Sequence, residues 1–291
     1  MPLTAAETAA ARALIALALA EDLGDTGDRT SLATIAAEAM ASAAFVGRAP
    51  GVVAGVSVAE WVCTAVDANL TFRAELSDGS TVQRDTRIAT VSGSLRSVLA
   101  AERTALNFLQ RLSGVATLTR KFVDAVAGLP VQLLDTRKTT PGWRLLEKLA
   151  VRAGGGTNHR IGLYDAILIK DNHIAGLGEP GSAVRRSVEL ARAYPGNAGL
   201  SVEVEVDSLD QLRQVLPVHP EIVLLDNMTN EQLREAVTIR NAMSPGTKLE
   251  ASGGVNLSTV RGIAETGVDR ISVGAVTHSA VALDIGLDYL G

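Results

Sequence analysis

The second half of the chain repeats a strand-then-helix pattern, and this repeat constrains the fold more than any other feature. Short apolar runs alternate with segments that mostly show the apolar spacing of helices. The runs are residues 131–134, 166–169, 202–206, 222–225, 248–251 and 270–273. Strands that alternate with helices are typical of a parallel sheet, which can close into a TIM-type barrel. Because the strands are fewer than the usual eight, we predict an incomplete TIM-like α/β barrel.

Polar or glycine-rich residues follow every one of these runs. In barrels of this type the chemistry lies at the carboxyl ends of the strands, in the loops that come next. A single polar residue in such a place has an ordinary structural explanation, but a complete set predicts a site. The segments concerned are residues 135–138, 170–173, 205–207, 226–227, 252–254 and 274–278.

The first third of the chain mixes short patterns of both kinds. Residues 42–48 and 81–91 look like strands, residues 57–68 have helical spacing, and residues 77–80 are typical of a turn. This mixture indicates an α+β domain that precedes the barrel.

Helical sequence joins the two regions. Residues 95–112 predict a long helix, and a second helix follows Gly114. We predict residues 1–114 as the N-terminal domain and residues 115–279 as the barrel. We also predict a C-terminal helix at about residues 280–291 that packs back on the N-terminal domain.

Composition favours a packed protein in a reducing compartment. Apolar residues make up 47% of the chain, which is ample for a core. The single cysteine, Cys63, excludes an internal disulfide framework and a cysteine-rich metal site. We therefore expect a cytoplasmic protein.

The most apolar N-terminal run, residues 9–20, predicts an ordinary helix. Arg12 interrupts it, it is too short for a membrane span, and it lacks the charge order of a signal peptide. Thr4 and Glu7 have the spacing of a capping box at its start. We therefore expect no membrane association.

Basic residues are concentrated between positions 131 and 173, although the whole chain has a net charge of −5. A positive island in an acidic chain predicts a pocket for small anions. A nucleic-acid-binding protein is usually basic over a whole face, and a sequence pI near 5.5 argues against one.

Two acidic residues alternate with valines at positions 202–206, so both carboxylates project to one face of a strand. We expect Glu203 and Glu205 to point into the barrel, with Glu205 nearer its open end. A buried carboxylate needs a cation or a donor network, and Lys170 is a candidate partner. A purely structural ion pair in the barrel interior stays open as the explanation for both residues, and more so for Glu203 than for Glu205.

The glycine-rich loops at 252–254 and 273–275 predict a phosphate site, because glycine lets backbone N–H groups approach an anion and barrels often bind phosphate in their last two loops. The histidines lack ligand spacing, so a structural zinc site is not expected. A magnesium ion held by Glu205, Asp226 and a pyrophosphate suits oxygen ligands better.

Nearly the whole chain resembles the quinolinate phosphoribosyltransferases, a family of type II phosphoribosyltransferases. The resemblance implies a barrel with an N-terminal α+β open-faced sandwich domain. It implies transfer of phosphoribosyl from phosphoribosyl pyrophosphate (PRPP) to quinolinate, with release of pyrophosphate and carbon dioxide, to give nicotinate mononucleotide for NAD synthesis. The blocks that carry it are EDLG, AERTALNFLQRLSG, DTRKT, GGGTNHR, IKDNH, EVEVDS, LLDNM, ASGGV and VGAVTHS.

The resemblance also implies roles for individual residues. Lys138, Glu205 and Asp226 would be catalytic, with Lys138 at the pyrophosphate and both acids at magnesium and the ribose hydroxyls. Quinolinate and the 5′-phosphate would contact a larger set. For quinolinate these are Arg137, His159, Arg160, Lys170 and a partner subunit's Arg103, with Thr136 beside them; for the phosphate they are Ser252, Gly253, Gly254, Val273, Gly274, Ala275 and His278.

The family likeness implies magnesium and no organic cofactor, because the alkylated ring nitrogen can itself stabilise the carbanion left by decarboxylation. It implies a homodimer with shared active sites, and a higher oligomer stays open. The family often has leucine where this chain has Thr140 and Trp143. That departure changes a pocket wall but removes no charged group.

Two alternatives remain open at this level. A phosphoribosyltransferase for nicotinate or another carboxylated ring would use similar loops, although the many basic groups suit two carboxylates better than one. A non-catalytic phosphate-binding barrel or a carrier module is the other. Lipoyl and biotinyl carriers need a lysine at a hairpin tip, and this chain has no lysine before Lys121.

Overall fold

A computed structural model describes residues 3–178 and 182–291 of the chain. In these ranges the helices are α1 (Ala5–Leu23), α2 (Arg29–Thr34), α3 (Val56–Val66), α4 (Leu95–Ala125), α5 (Arg144–Ala153), α6 (Asp171–Gly176), α7 (Ala183–Ala193), α8 (Leu209–Val215), α9 (Asn230–Met243), α10 (Val260–Ala264) and α11 (Ala275–His278). The strands are β1 (Met40–Gly47), β2 (Gly51–Val52), β3 (Thr71–Ala74), β4 (Thr81–Val82), β5 (Arg87–Ser94), β6 (Gln132–Leu134), β7 (Ile167–Ile169), β8 (Val202–Val206), β9 (Ile222–Asp226), β10 (Lys248–Ser252), β11 (Arg270–Ser272) and β12 (Ile285–Tyr289).

The chain divides into two compact units, each built from more than one stretch of sequence. The first unit contains the residues up to Arg120 together with Lys138–Gly156 and Val276–Gly291. The second contains Lys121–Arg137 and Thr157–Ala275. The domain boundary at residue 114 is a statement about sequence and stays a prediction.

The first unit contains an antiparallel sheet of strand order β12-β1-β5-β3 and a short β2-β4 pair. The predicted strand at 42–48 and the predicted helix at 57–68 are present as β1 and α3. The predicted strand at 81–91 divides into β4 and β5, with Asp85 between them at a φ of 63°. This sheet is the α+β part that the sequence predicts.

The N-terminal helix α1 begins as its sequence predicts. Thr4 accepts a hydrogen bond from the Glu7 N–H, and the Glu7 side chain accepts one from the Thr4 N–H. This capping box satisfies two backbone donors that a helix start leaves open. Among the described residues, no helix combines the length and the apolar character that a membrane crossing needs.

The predicted helix at residues 280–291 is wrong. This segment contains the strand β12, which pairs antiparallel with β1 from Ala43 opposite Tyr289 to Gly47 opposite Ile285. The edge of β1 offers a row of backbone groups, and pairing satisfies them better than a short isolated helix would. Gly286 also fits beneath the Arg48 guanidinium, where a Cβ would lie 2.8 Å from Nη2.

The predicted break between two helices at Gly114 is also wrong, because α4 runs without interruption from Leu95 to Ala125. A Cβ at position 114 would lie 2.2 Å from the Val281 carbonyl oxygen. Glycine is therefore required here for a close backbone approach rather than for a bend. Its cost in helix propensity, about 1 kcal/mol relative to alanine, is offset by that packing.

The second unit contains a parallel sheet of strand order β6-β11-β10-β9-β8-β7, which confirms the predicted strands. Neighbours in space are neighbours in sequence, apart from β6 and β11, as in a barrel. Among the described residues β6 does not pair with β7, and its free edge instead forms a parallel bridge from Leu134 to Thr157, in the segment that precedes β7. The barrel is therefore incomplete there.

The strands of this sheet are covered on both faces. In β9, residues 222–225 are all buried, as expected for a strand covered on both faces. The flanking helices present apolar stripes to the sheet, for example Val184 and Val188 of α7. All six strands point the same way, so their carboxyl ends lie along one edge.

Candidate active site

Polar residues gather at the carboxyl edge of the parallel sheet. Each lies in the last two positions of a strand or in the segment that follows it. Because the strands are held in register by parallel pairing, these side chains are positioned by the sheet itself. In the second unit they are Asp135, Thr136, Arg137, Lys170, Glu205, Asp226, Asn227, Ser252, Gly253, Gly254, Val273, Gly274 and Ala275.

Lys170 and Glu205 form an ion pair at this edge. Nζ of Lys170 lies 3.6 Å from Oε2 of Glu205, and the side chains are 50% and 15% exposed. Burial raises the pKa of Glu205, as do the charges of Asp226 and Asp171, against the opposing charge of Lys170. The pair is thus one of the contacts that keep this carboxylate charged.

The loops after β9 and β10 pack directly on each other. Asn227 has a φ of 53°, and its N–H donates to the Ser252 carbonyl oxygen at 2.9 Å. Gly253 has a φ of +96°, and a Cβ there would lie 2.1 Å from Asn227 Oδ1. Only glycine fits this position. The exposed Gly253 and Gly254 leave their backbone open on the outer side of the turn.

Asp135 organises the loop that carries His159 and Arg160. Its buried carboxylate accepts hydrogen bonds from Asn158 Nδ2 at 2.6 Å and from the His159 N–H at 2.9 Å. A second turn follows, in which Asp165 accepts from the N–H groups of residues 161 and 162. The last residues of the GGGTNHR block and the turn that follows them are therefore held by two carboxylates.

Two arginines at this edge lie close enough to repel each other. Burial of the guanidinium and the neighbouring charge of Arg137 lower the pKa of Arg160. Arg160 is anchored by donating to the Ala166 carbonyl oxygen at 3.2 Å. Like charges held together in this way favour the binding of an anion between or beside them.

His159 lies in a buried ionic network. Its Nε2 is 3.1 Å from Glu203 Oε2 and 3.4 Å from Glu250 Oε1, and Glu250 Oε2 is 2.9 Å from Arg270 Nε. The two carboxylates are 4% and 0% exposed. Glu203 therefore points into the barrel, as its alternation with valine predicts, and its partner is His159 rather than Lys170.

The protonation of His159 is governed by two competing contacts. Burial opposes charge on the ring, but hydrogen bonds and charge from Glu203 and Glu250 outweigh it and raise the pKa of His159 to about 9. The Arg160 N–H lies 2.7 Å from Nδ1 and needs its lone pair. Below this raised pKa the ring carries a proton on each nitrogen, and the Arg160 contact must open when Nδ1 is protonated.

Two groups of acidic residues differ in their suitability for a metal. Candidate ligand atoms of His159, Glu203 and Glu250 lie within 4.8 Å of one another, but the His159 ring, charged below its raised pKa, and Arg270 already neutralise these carboxylates. Glu205, next to last in β8, and Asp226, last in the neighbouring β9, offer carboxylate oxygens near the open edge. That donor set fits magnesium, which prefers one or two carboxylates and a phosphate ligand.

The remaining predicted site residues belong to the first unit. Lys138 is exposed, and its carbonyl oxygen accepts from Thr277 Oγ1 at 2.8 Å. His278 is exposed, with Nδ1 2.7 Å from Ser279 Oγ. Arg103 lies exposed on α4, and no hydrogen bond or ion pair to its side chain occurs within the described ranges.

Sequence reasoning missed Glu250 and Arg270, and assigned no role to Asp135. Glu250 stands between Leu249 and Ala251 in a central strand of a parallel sheet, where every face is buried. A lone charge in such a strand is a usable signal, since it needs a buried partner. Its partners lie on other strands and loops, and no sequence spacing identifies them.

Comparison with known proteins places the chain in a family. The quinolinate phosphoribosyl transferase N-terminal domain matches residues 28–113, and the C-terminal domain matches residues 115–288. Nicotinate-nucleotide pyrophosphorylase (carboxylating) of Mycobacterium leprae is 46% identical over 281 residues, covering 96% of this chain and 97% of that protein. The chloroplastic protein of the same name from Oryza sativa subsp. japonica is 43% identical, covering 95% of this chain and 76% of that protein.

Solved structures agree with this comparison in fold. NadC from Streptococcus pyogenes has a TM-score of 0.91 and 37% identity, with all of both chains covered. The nicotinate-nucleotide pyrophosphorylase from Francisella tularensis has a TM-score of 0.87 and 40% identity, covering 97% of this chain and 96% of that one. Because both family domains match in order and relatives match along nearly the whole length, the chain belongs to the quinolinate phosphoribosyl transferase family.

Proposed function

We propose that this protein transfers phosphoribosyl from PRPP to quinolinate with decarboxylation, giving nicotinate mononucleotide, pyrophosphate and carbon dioxide in NAD biosynthesis. The observation that carries the proposal is the meeting of opposite charges at one sheet edge. Arg137, Arg160 and Lys170 lie there with the acidic Glu205 and Asp226. The three basic residues suit a ring that carries two carboxylates, and the two acidic residues suit a sugar that develops positive charge.

The basic residues bind and orient quinolinate. Planar guanidinium groups match carboxylates through paired hydrogen bonds, and the charge of Arg137 is near enough to Arg160 to lower the pKa of Arg160. Lys170 supplies an ammonium beside them. The Asp135 carboxylate accepts a hydrogen bond from the His159 N–H, and the Arg160 N–H lies beside the His159 ring. These contacts position the backbone that carries the Arg160 side chain. Orienting the ring nitrogen toward the sugar lowers the entropic part of the barrier.

The acidic residues stabilise the sugar as pyrophosphate departs. The bond from C1′ to the pyrophosphate oxygen breaks with its electron pair, and the ring nitrogen forms the new bond to C1′. Glu205 and Asp226 place negative charge beside the oxocarbenium-like centre that develops between these events. They would also hold magnesium, which when bound supplies positive charge to the leaving pyrophosphate. Lys138 would contact the same leaving group.

Decarboxylation then follows from the chemistry of the product ring. Once alkylated, the ring nitrogen is positive, and loss of the adjacent carboxylate as carbon dioxide leaves an electron pair on the neighbouring carbon. The ring charge stabilises that pair until a proton adds to the carbon. No organic cofactor is needed to accept the electrons.

The glycine-rich loops bind the 5′-phosphate. Ser252 offers a hydroxyl, and Gly253 and Gly254 turn with positive φ so that backbone can approach an anion closely. The loop after β11 supplies Val273, Gly274 and Ala275, and His278 follows it. Fixing the far end of PRPP leaves C1′ held at the charged edge.

We further propose a homodimer in which Arg103 enters the partner's site. Support comes from its exposure on α4 and from the lack of any hydrogen bond or ion pair to its side chain in the described part of the chain. An unpaired arginine at a two-fold interface contributes equally to both sites. The domain boundary near residue 114 is supported by the two family models, which meet there. A cytoplasmic setting rests on the single, free cysteine.

The test measures pyrophosphate release from PRPP with quinolinate or nicotinate, each with and without magnesium. We expect release with quinolinate and magnesium, with equal amounts of carbon dioxide and nicotinate mononucleotide. Nicotinate should be a poor substrate. Faster turnover of nicotinate would assign the site to a ring with one carboxylate, and no release with either ring would refute the enzyme assignment.

A further inference from the structure

A buried ion pair in the first unit joins two loops that carry predicted phosphate-binding residues. Arg111 of α4 donates from Nη2 to Glu147 Oε1 at 2.6 Å and from Nε at 3.2 Å. The Glu147 side chain is 0% exposed and that of Arg111 is 25% exposed. Neither residue belongs to the site described above.

Arg111 uses its remaining donors on the segment that contains His278. Nη2 also donates to the Thr277 carbonyl oxygen at 2.6 Å, and Nη1 donates to the Ala280 carbonyl oxygen at 2.8 Å. These carbonyls lie on either side of His278 in sequence. One guanidinium therefore fixes the backbone before and after that histidine.

Glu147 uses its remaining lone pairs on the segment that follows Lys138. The Thr140 N–H donates to Oε2 at 3.1 Å, and the Thr140 hydroxyl donates to Oε1 at 2.9 Å. The two segments also meet directly, because Thr277 Oγ1 donates to the Lys138 carbonyl oxygen at 2.8 Å. The loops of Lys138 and His278 are thus tied by one network.

Stability alone is a weak reason for such a pair. A buried salt bridge often stabilises a fold no better than apolar residues of the same volume would. What it does supply is fixed geometry, since both charges are satisfied only when every partner is in place. Thr140 enters this network through its hydroxyl as well as its backbone N–H.

We propose that Arg111 and Glu147 are positioning residues that hold Lys138 and His278 at the separation required by the phosphate groups of PRPP, and that the Thr140 hydroxyl is part of this support. The inference rests on the proposed function and adds a specific prediction to it. Disturbing the network should weaken PRPP binding while leaving the quinolinate residues in place.

The test compares Glu147→Gln, Thr140→Val and Thr140→Ser in steady-state kinetics and in calorimetric binding of PRPP. For Glu147→Gln we expect the KM and Kd for PRPP to rise about tenfold to a hundredfold, as for loss of fixed geometry near a reacting group. The KM for quinolinate should change by less than about threefold. Thr140→Val should raise the PRPP constants in the same direction, and Thr140→Ser should restore them.

Glu7→Gln is the matched control. Glu7 accepts a salt bridge from Arg152 Nη2 at 2.7 Å, with side chains 5% and 27% exposed, and it lies in the same unit. The Glu7→Gln substitution removes the same charge from a similarly buried pair, and it does not change any contact of the Lys138 or His278 segments. We expect a loss of thermal stability with unchanged PRPP constants.

The outcomes separate the inference from the proposed function. If Glu147→Gln and Glu7→Gln lose stability alike and neither changes PRPP binding, the positioning role is overturned. If Glu147→Gln fails to fold, the Thr140→Val and Thr140→Ser pair decides, and equal PRPP constants in both would overturn it. A wild-type protein that binds PRPP but releases no pyrophosphate with quinolinate would refute the proposed reaction, while the binding comparison would still test the positioning role.

Discussion

Lys170 Nζ lies 3.6 Å from Glu205 Oε2, so a base assigned to quinolinate and an acid assigned to PRPP hold each other before either substrate binds. Lys170 is half exposed, and a pair of this kind contributes little to the stability of the fold. Its importance is electrostatic. The ammonium favours the charged form of Glu205, and each substrate must replace part of this contact when it enters.

Replacing Lys170 should impair catalysis without unfolding the protein. Lys170→Ala removes an ammonium that would face a carboxylate of bound quinolinate. Removing one partner of such a charge pair costs roughly 2–5 kcal/mol of binding free energy once the ligand has excluded water. We expect kcat/KM for quinolinate to fall about 30-fold to several thousand-fold. Steady-state kinetics and thermal unfolding would measure both effects. Lys248→Ala, at an exposed position at the start of β10, is the control, and near-normal quinolinate kinetics in Lys170→Ala would contradict the assignment.

Replacing Asp226 should act on the other substrate. Asp226→Asn keeps the shape of the side chain but removes a negative oxygen ligand. The KM for PRPP and the magnesium concentration needed for half-maximal rate should both rise, and quinolinate affinity should change less. Titrating each ligand by calorimetry checks this. Loss of quinolinate affinity with intact PRPP binding would reverse the roles given to the acidic and basic groups.

Arg103 allows a direct test of the proposed shared site. Arg103→Ala and Lys170→Ala proteins should each be nearly inactive, and mixing them after dissociation should restore activity. In a mixed dimer one site carries both substitutions and the other carries neither. Random exchange makes about half the dimers mixed, so activity should return to roughly a quarter of wild type. If mass spectrometry shows exchanged subunits without activity, Arg103 does not act across an interface.

The buried network around His159 predicts a dependence of stability on pH. The carboxylates raise the pKa of His159 to about 9 from an ordinary value of 6.5, so the folded protein holds a proton that the unfolded chain releases. This contribution is fully present below about pH 6.5 and is lost as the pH rises through about 9. The raised pKa of Glu203 has the same sign, because burial and the charge of Glu250 favour its protonated form.

Denaturant unfolding at several pH values between 6.5 and 9 measures this dependence. The free energy of unfolding should fall with pH in wild type and fall less steeply in Glu203→Gln, which lacks one of the groups that raise the His159 pKa. The slope is the test, since the substitution itself changes the level. Parallel slopes in the two proteins would show that the ring is not charged by its carboxylates.

The strands of the parallel sheet and the residues at its carboxyl edge can be predicted from the sequence. Buried parallel strands are continuous apolar runs, and their ends are marked by residues such as Asp226 that cannot continue them. The alternation at Glu203 and Glu205 correctly predicts a shared interior face. These features are local, so periodicity alone reveals them.

The remaining features depend on contacts between distant residues. Gly114 looks like a helix break until the Val281 carbonyl is seen beside it, and the pairing of Glu147 with Arg111 has no signature in spacing. Glu250 and Arg270 become partners only because their strands are adjacent in the sheet. For the same reason β12 was misassigned, since a strand at an edge is defined by its neighbour.

The pairing of β12 with β1 has a consequence for the order of folding. Arg48 and Asp288, which join across this pair, are 240 residues apart in sequence. During synthesis β1 can pair with β5 early, but its other edge stays uncovered until residues 285–289 have emerged. Closing so long a loop is slow, and an open strand edge invites pairing with other chains. The antiparallel sheet is therefore completed only after every strand of the parallel sheet has been synthesised, and its unfinished edge is where the nascent chain is most exposed to misassembly.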